Sequence, residues 1–359
     1  MKKILFITPY PKDVAPSQRL KFEQYYSAIQ NSNYDISFDS FIDKEFWSFI
    51  YKEGNWIRKV SKTVKAYFRR FLLLFSLSKY DLIYIHLWYT PYGPPLFERF
   101  VSLIHKRVIY DIDDMVFLGH SSSANRLLMF LKGKNKMISL MKTSNHVITC
   151  TPHLDAFVRK YNSNTTDISS TINTETYQPV NTYTNDDLLT IGWSGSHSTS
   201  KYVYLLKEVL LDVYKKHKFK LLVIGDSSFH IDGIDCEAIQ WIEDSEVQDL
   251  QRIDIGIYPL PNEEWVLGKS GLKALQYMAL GIPTIASAIG ANYRVIEDGV
   301  SGTLVDSDET WKKSIENYIT NPSLRKEHGL KARERVESMY SVQANESVYL
   351  EVIKKVIEG

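Results

Sequence analysis

The chain has 359 residues, with 44% hydrophobic and 24% charged side chains, a composition that excludes disordered, collagen-like and low-complexity architectures. At roughly 100–200 residues per domain, the length suggests two domains. The net charge of +1 hides an asymmetry. Residues 1–180 carry 24 Lys and Arg against 15 Asp and Glu, a net of +9, while 181–359 carry 19 against 27, a net of −8. The first half is therefore expected to face something anionic: membrane lipid, nucleic acid or a phosphorylated substrate.

In chain order, Lys2–Thr8 opens as a short apolar strand, too short for a signal-peptide core. The loop Pro11–Arg19 (PKDVAPSQR) follows, and Ser17 is placed to cap a helix over Gln18–Gln30. Tyr34–Phe41, Asp81–His86, Arg107–Asp111 and His146–Cys150 have strand length. Helices are expected at Leu96–His105, Ala124–Met141 and Leu154–Lys160 between them. Strands alternating with helices imply parallel sheets built from βαβ units. The longest apolar run, Phe71–Leu77, cannot span a bilayer, which needs about 20 residues. Two cysteines, Cys150 and Cys236, cannot make a disulfide framework, so a reducing compartment is the expectation. No Cys/His cluster has zinc spacing, and no metal is expected.

The stretch Tyr161–Asp187, rich in Asn, Thr and Ser, reads as the linker region. Alternation then restarts. Strands are expected at Leu189–Trp193, Phe219–Gly225, Ala238–Ile242, Ile255–Pro259, Thr284–Ser287 and Gly302–Val305. Helices are expected at Lys201–Lys216, Ser245–Ile253 and Ser270–Leu280, with three more from about 308 to 358. The economical architecture is α/β, two successive doubly wound domains with a cleft between them.

Within Trp56–Phe75 a helical projection separates two arcs. Arg58, Lys59, Lys62, Lys65, Arg69 and Arg70 lie on one. Trp56, Ile57, Val60, Val64, Tyr67, Phe68, Phe71, Leu74 and Phe75 lie on the other. No acidic residue interrupts Trp56–Lys79. Such a helix is expected either to contact an anionic membrane surface through Lys62, Lys65, Phe68, Arg69 and Arg70 or to pack its apolar arc on the core. The cations sit beside aliphatic residues, which favours lipid over nucleic acid.

Gly268-Lys269-Ser270-Gly271 precedes a helix that begins near Leu272. Exposed backbone N–H groups and the positive end of the helix dipole suit a phosphate there, and Lys269 and Lys273 add full charges. The glycine spacing is not that of a Walker motif. A second glycine-bearing loop, IGWSGSHSTSK, holds Gly195, Ser196 and Lys201. In the first half, Asp111, Asp113 and Asp114 follow one strand and His86 ends another. Strand ends are where α/β sites form. The carboxylates could hold a cation, act as acid or base, or cap a helix. Lys12 and Arg19 stand ready for a diphosphate or an acidic acceptor.

LQYMALGIPTIAS and VIEDGVSGTLV, at their separation here, resemble the C-terminal domain of family-4 glycosyltransferases, retaining enzymes of the GT-B fold. The likeness extends over nearly the whole chain. VIYDIDD and GPPLFE are similar to a bacterial branch linked to surface polysaccharide (capsule, O-antigen or similar). The resemblance implies two Rossmann-like doubly wound domains facing a central cleft. Residues 1–180 would bind the acceptor and 181–340 the nucleotide-sugar, with a helix over 341–359 returning to the first domain. It implies transfer of a sugar from a nucleotide-sugar, UDP- or GDP-linked, to a hydroxyl of a glycan or lipid-linked acceptor. Such enzymes generally need no metal or other cofactor. Donor contacts then fall on Gly195, Ser196, Lys201, Lys269, Ser270, Gly271, Leu272, Lys273 and Gln276, while the place of His86, Asp113 and Asp114 at strand ends makes them the catalytic candidates.

The chain departs from the family at two points. The usual pair of Glu residues, seven residues apart, is replaced by Gly268 and Gln276. Gln276 can bond a ribose hydroxyl but is no carboxylate, and Glu263 or Glu264 could supply the sugar contact. Ser196 stands where the family has Arg. Two alternatives stay open: a non-catalytic nucleotide-binding or membrane-associated partner in a polysaccharide assembly complex, or a GT-B nucleotide-sugar epimerase. The chain is expected to be cytoplasmic or peripheral on the inner face of the cell membrane.

Overall fold

A computed structural model describes residues 1–115, 134–180 and 188–359. The chain forms two compact units: residues 1–169 with 345–359, and residues 170–344. Each holds a six-stranded sheet, and every strand pair is parallel. Parallel sheets covered on both faces demand continuous apolar runs. LIYIH and VIYD are accordingly buried along their whole length.

The first sheet contains β1 (Lys2–Thr8), β2 (Tyr34–Ser40), β3 (Leu82–His86), β4 (Val108–Asp111), β5 (His146–Thr149) and β6 (Thr165–Asp167), in the order β2-β1-β3-β4-β5-β6. The second contains β7 (Leu189–Ser194), β8 (Phe219–Ile224), β9 (Asp235–Ile239), β10 (Ile255–Tyr258), β11 (Thr284–Ser287) and β12 (Thr303–Val305), in the order β12-β11-β10-β7-β8-β9. Strand order reverses between β1 and β3 in the first sheet and between β7 and β10 in the second. At such a reversal, loops leaving the carboxyl ends of neighbouring strands diverge and leave a crevice.

The helix expected over Gln18–Gln30 is broken into Pro16–Arg19, a 3-10 turn at Glu23–Tyr25 and Tyr26–Asn31. Gln18 explains the break. Its buried amide is spent on Tyr10 N (3.0 Å), Tyr10 O (3.1 Å) and Glu23 (3.0 Å), which tie the loop after β1 to itself. The expected helix Ala124–Met141 is described only as Lys134–Thr143, and 124–133 lie outside the described residues. The expected linker divides. Thr165–Asp167 joins the first sheet, and Ile172 and Tyr177 are core residues of the second unit. At the other end of the chain, Tyr349 is buried and stacks on Tyr25, ring centroids 4.2 Å apart, both within the first unit.

The helix Trp56–Leu74 forms as expected, but its orientation corrects the predicted membrane contacts. Arg70 is fully buried. It pairs with Asp39 (2.9 Å) and donates to the carbonyls of Thr8 (2.8 Å) and Asp39 (2.9 Å). Arg69 pairs with Asp39 (3.3 Å) and donates to Ser40 O and Phe41 O. Lys62 pairs with Asp43 (3.1 Å) and Glu45 (2.5 Å). Acids from β2 and the segment after it draw these cations inward, so none of the three is free for lipid. Lys65 and Phe68 remain exposed. Most of the apolar arc faces outward instead: Trp56, Ile57, Val60, Val64, Phe68, Phe71, Leu72 and Phe75 are all exposed, while Leu74 is buried and Tyr67 half-buried. Among the described residues, no helix is long and apolar enough to cross a membrane.

Candidate functional site

In the second unit the loops that follow β7 and β10 flank the strand-order reversal. Gly195 begins the first loop. Its N–H donates to Ile224 O at the end of β8 (2.9 Å), and Ser194 N donates to Tyr277 Oη (2.7 Å). Gly225, with φ +109°, completes the junction. A Cβ there would lie 1.8 Å from Gly195 O, so the two backbones touch where no larger residue fits. Ser196 O accepts from Thr199 N (2.8 Å) and Ser200 N (3.0 Å), curling the loop into a 3-10 turn over Ser200–Leu206. The expected helix over Lys201–Lys216 becomes regular only at Lys207. The amides of His197 and Ser198 donate to no group among the described residues.

The second loop leads into the helix Leu272–Ala279. Its N-cap is Gly271 at φ +76°, and no side chain caps it. The first N–H groups of a helix have no internal partner, so this end presents donors and the positive end of the dipole. Lys273 reaches back beside Gly195, where a Cβ would come within 2.9 Å of Lys273 Cε, and its Nζ lies 5.5 Å from the Trp193 ring. Burial of the ammonium, with Lys269 nearby, pushes Lys273 down to about 8. No carboxylate lies within ion-pair distance of Lys273 or Lys201 among the described residues. Lys201 Nζ lies 5.3 Å from the Tyr202 ring, and Lys269 Nζ lies 5.5 Å from the Trp265 ring. The Tyr202 and Trp265 rings are 5.8 Å apart. Two sequence-distant loops thus bring three lysines and unengaged amides together, a cradle for a polyanion.

Other expected donor contacts are placed differently. Ser270 Oγ lies 2.7 Å from Ser170 Oγ. Glu264 is exposed, and Glu263 accepts from Trp265 Nε1 (2.6 Å). Leu272 is the first residue of the helix. Gln276 is buried. Its Nε2 donates to Tyr177 Oη (3.0 Å) and Glu246 (3.2 Å).

Two features escape sequence reading. Asp226, just beyond β8, accepts from Ser200 Oγ (2.6 Å), Ser228 Oγ (2.6 Å) and Ser228 N (3.1 Å), with His197 Nδ1 3.0 Å away. Burial would raise its carboxyl, but these hydroxyls, His197 and the Ser228 amide outweigh burial and hold it below the usual range. Its position after a glycine at a strand end is the one available signal. Glu246 also accepts from Trp241 Nε1 (3.0 Å) and Tyr177 Oη (2.9 Å), and nothing local in the sequence announces it.

The first unit gathers a different set at its own strand ends. Asp111 is fully buried and pairs with Lys21 (2.5 Å), while Tyr84 Oη donates to it (2.6 Å). Burial would raise the Asp111 carboxyl, but Lys21 and His86 outweigh it and lower it. His86 is buried between Asp111 (Nδ1, 3.7 Å) and Asp113 (Nε2, 3.9 Å), beyond hydrogen-bond reach of either. Burial raises the Asp113 carboxyl, and Cys150 Sγ donates to the Asp113 carbonyl (3.0 Å). Asp114 accepts from Met115 N (2.7 Å). Leu87, directly after His86, has φ +59°, a strained conformation for a non-glycine residue. Lys12 is exposed, 3.8 Å from Asp13, and Arg19 ends the short helix after β1. His86, Asp111 and Asp113 are thus neighbours, while Lys12 and Arg19 lie on the loop after β1.

This pairing of doubly wound units defines the GT-B fold. The sucrose-phosphate synthase of Thermosynechococcus elongatus is similar over all of both chains, with TM-score 0.70 and 16% identity. A glycosyltransferase from Rickettsia africae matches 100% of this chain and 99% of its own, with TM-score 0.70 and 14% identity. Anabaena HepE, solved with UDP and glucose, matches 99% of this chain and 100% of its own, with TM-score 0.69 and 12% identity. More narrowly, residues 187–321 match the family Glycosyl transferases group 1. No curated protein sequence matches the chain.

Proposed function

We propose that the protein is a glycosyltransferase that takes a sugar from a nucleotide-sugar and passes it to a glycan or lipid-linked hydroxyl, with retention, in bacterial polysaccharide synthesis. The observation that carries this reading is the cradle of Lys201, Lys269 and Lys273 with the amides of His197, Ser198 and the Leu272 helix start. It suits the diphosphate whose charge grows as the sugar C1–O bond breaks. The acceptor oxygen then bonds C1, and its proton passes to the leaving phosphate oxygen, so no strong protein base is needed. The lysines stand in for the Arg absent at Ser196. The match of residues 187–321 and the fold of HepE support this reading.

The first test is thermal unfolding with UDP, GDP, ADP and CMP and their sugars. At about 100 times Kd, binding adds about 2.7 kcal/mol to the native state. A shift with one nucleotide class, followed by transfer with retained anomeric configuration, is the expected outcome. Binding with neither transfer nor donor hydrolysis would assign the chain to a non-catalytic partner. A rearranged nucleotide-sugar formed without acceptor would make it an epimerase.

A second observation concerns the acceptor. The outward apolar arc of Trp56–Phe75 carries four aromatic rings, with Trp56 70% and Phe75 73% exposed. The contacting helix Leu96–Ile104 adds Leu96, Phe100, Leu103 and Ile104, also exposed. Monomers rarely expose such patches without a partner. Lys65, Arg99 and Lys106 border it and are exposed. Two copies meeting through this face would oppose like charges, so an anionic bilayer suits it better, and with it a lipid-linked acceptor. Phe68→Glu with Phe71→Glu is expected to abolish sedimentation with anionic vesicles. Unchanged sedimentation, or a concentration-dependent dimer lost in the same variant, would overturn it.

A further inference from the structure

Gln276 occupies the place where the resemblance puts a carboxylate, and its surroundings decide what it offers instead. A side-chain amide can present its carbonyl or its NH₂ to a ligand, with opposite consequences. The two ends look alike in shape, so only partners fix the choice. Here the partners leave no freedom. Glu246 is buried, and both of its carboxyl oxygens face donors. Its Oε1 takes the Trp241 indole N–H (3.0 Å) and one N–H of Gln276 Nε2 (3.2 Å). Its Oε2 takes the Tyr177 hydroxyl (2.9 Å). Having spent its proton on Glu246, the Tyr177 oxygen accepts the second Nε2 hydrogen of Gln276 (3.0 Å). Turning the amide over would set Gln276 Oε1 against a carboxyl oxygen and leave the Tyr177 oxygen without a donor, which is costly in a buried site. Both Nε2 hydrogens are therefore spent. Gln276 Oε1 accepts no bond among the described residues and is not among the buried atoms left without a partner.

We infer that Glu246 is a positioning residue: by holding the Gln276 amide through Nε2, it makes Oε1 an acceptor-only group for a hydroxyl donor, the ribose diol of the bound nucleotide. This rests on the nucleotide-binding reading above. The group then behaves toward the diol as a carboxylate oxygen would, without a second negative charge beside the diphosphate.

The experiment measures Kd for UDP and GDP beside their 2′,3′-dideoxy counterparts. The wild-type protein is expected to bind one ribonucleotide about 10-fold more tightly than its dideoxy form, the scale of one or two hydrogen bonds. Glu246→Gln, which removes the obligate acceptor, is expected to lower that ratio to about one while dideoxy affinity stays unchanged. Glu246→Gln combined with Gln276→Glu exchanges donor and acceptor across the contact and is expected to restore the ratio. A support role for Glu246 that merely holds the fold would weaken both ligands equally and would not be rescued by the exchange. Equal wild-type affinity for the ribo and dideoxy forms overturns the inference and leaves the nucleotide site standing, and that comparison needs no variant to fold. Absence of any nucleoside diphosphate binding would remove the nucleotide reading and this inference with it.

Discussion

The two units place chemistry at the same topological position and equip it in opposite ways. Where strand order reverses in the first sheet, the charges answer one another: Lys21 meets Asp111, and His86 lies between two carboxylates. At the reversal in the second sheet, Lys201 and Lys273 meet no carboxylate among the described residues, and glycines bring the backbone close. A site whose charges are already balanced holds shape and reactive groups. One whose cations are left unanswered awaits an anion from outside.

The sharpest way to break the contrast is to unbalance the balanced side. Lys21→Met leaves Asp111 buried and unpaired, and is expected to cost about 3–5 kcal/mol in denaturant unfolding. The same pair sets an acid limit. The Asp111 carboxyl lies below its ordinary range when folded, so its contribution is present above pH about 4 and lost as pH falls through the folded value. In Lys21→Met this acid-dependent loss should disappear.

Next is the backbone contact on the other side. Gly225→Ala puts a methyl against Gly195 O at a φ of +109°, and is expected to cost about 1–3 kcal/mol of stability. It should also abolish nucleotide binding by titration calorimetry, because the loop that carries His197 must move.

A pH series sharpens the comparison further. Lys273 titrates near 8, against 10.5 for an ordinary lysine. Between these values the unfolded chain holds the extra proton, so stability of the free protein rises with pH through that window. Nucleotide affinity should do the reverse. It falls as pH rises above 8, by at most about tenfold per pH unit, because a diphosphate needs the charged form. Lys273→Arg should flatten the affinity profile.

The smallest effects belong to Lys201, exposed, and Lys269, half-buried. Lys201→Ala or Lys269→Ala is expected to weaken nucleotide binding about 3–10-fold, with thermal stability changed by no more than about 0.5 kcal/mol. Unchanged affinity in both would remove these loops from the site.

Much of this was legible in the residues. Apolar runs of strand length separated by helical stretches yielded both sheets except β6, which lay in the stretch read as linker, and glycine loops before cationic helix starts pointed to the two loops that meet in the second unit. What escaped depended on partners far along the chain. Periodicity separated the two arcs of Trp56–Phe75 but not which arc turns inward. That was decided by Asp39, Asp43 and Glu45, whose carboxylates recruit Arg69, Arg70, Lys62 and Arg58. Likewise Gln276 read as a weakened acid because Glu246 and Tyr177 lie 30 and 99 residues away. The broken helix after β1 was hidden because Gln18 looked like an ordinary helix former.

The stacking of Tyr349 on Tyr25 bears on how the chain is made. Domains generally fold as they leave the ribosome, amino-terminal first. Here the amino-terminal unit includes residues 345–359, so its core stays open until those residues have been made. The unit formed by 170–344 has no such debt and can fold while its predecessor still waits. Birth order and folding order are thereby reversed, and during synthesis the surface around Tyr25 is what a chaperone would find uncovered.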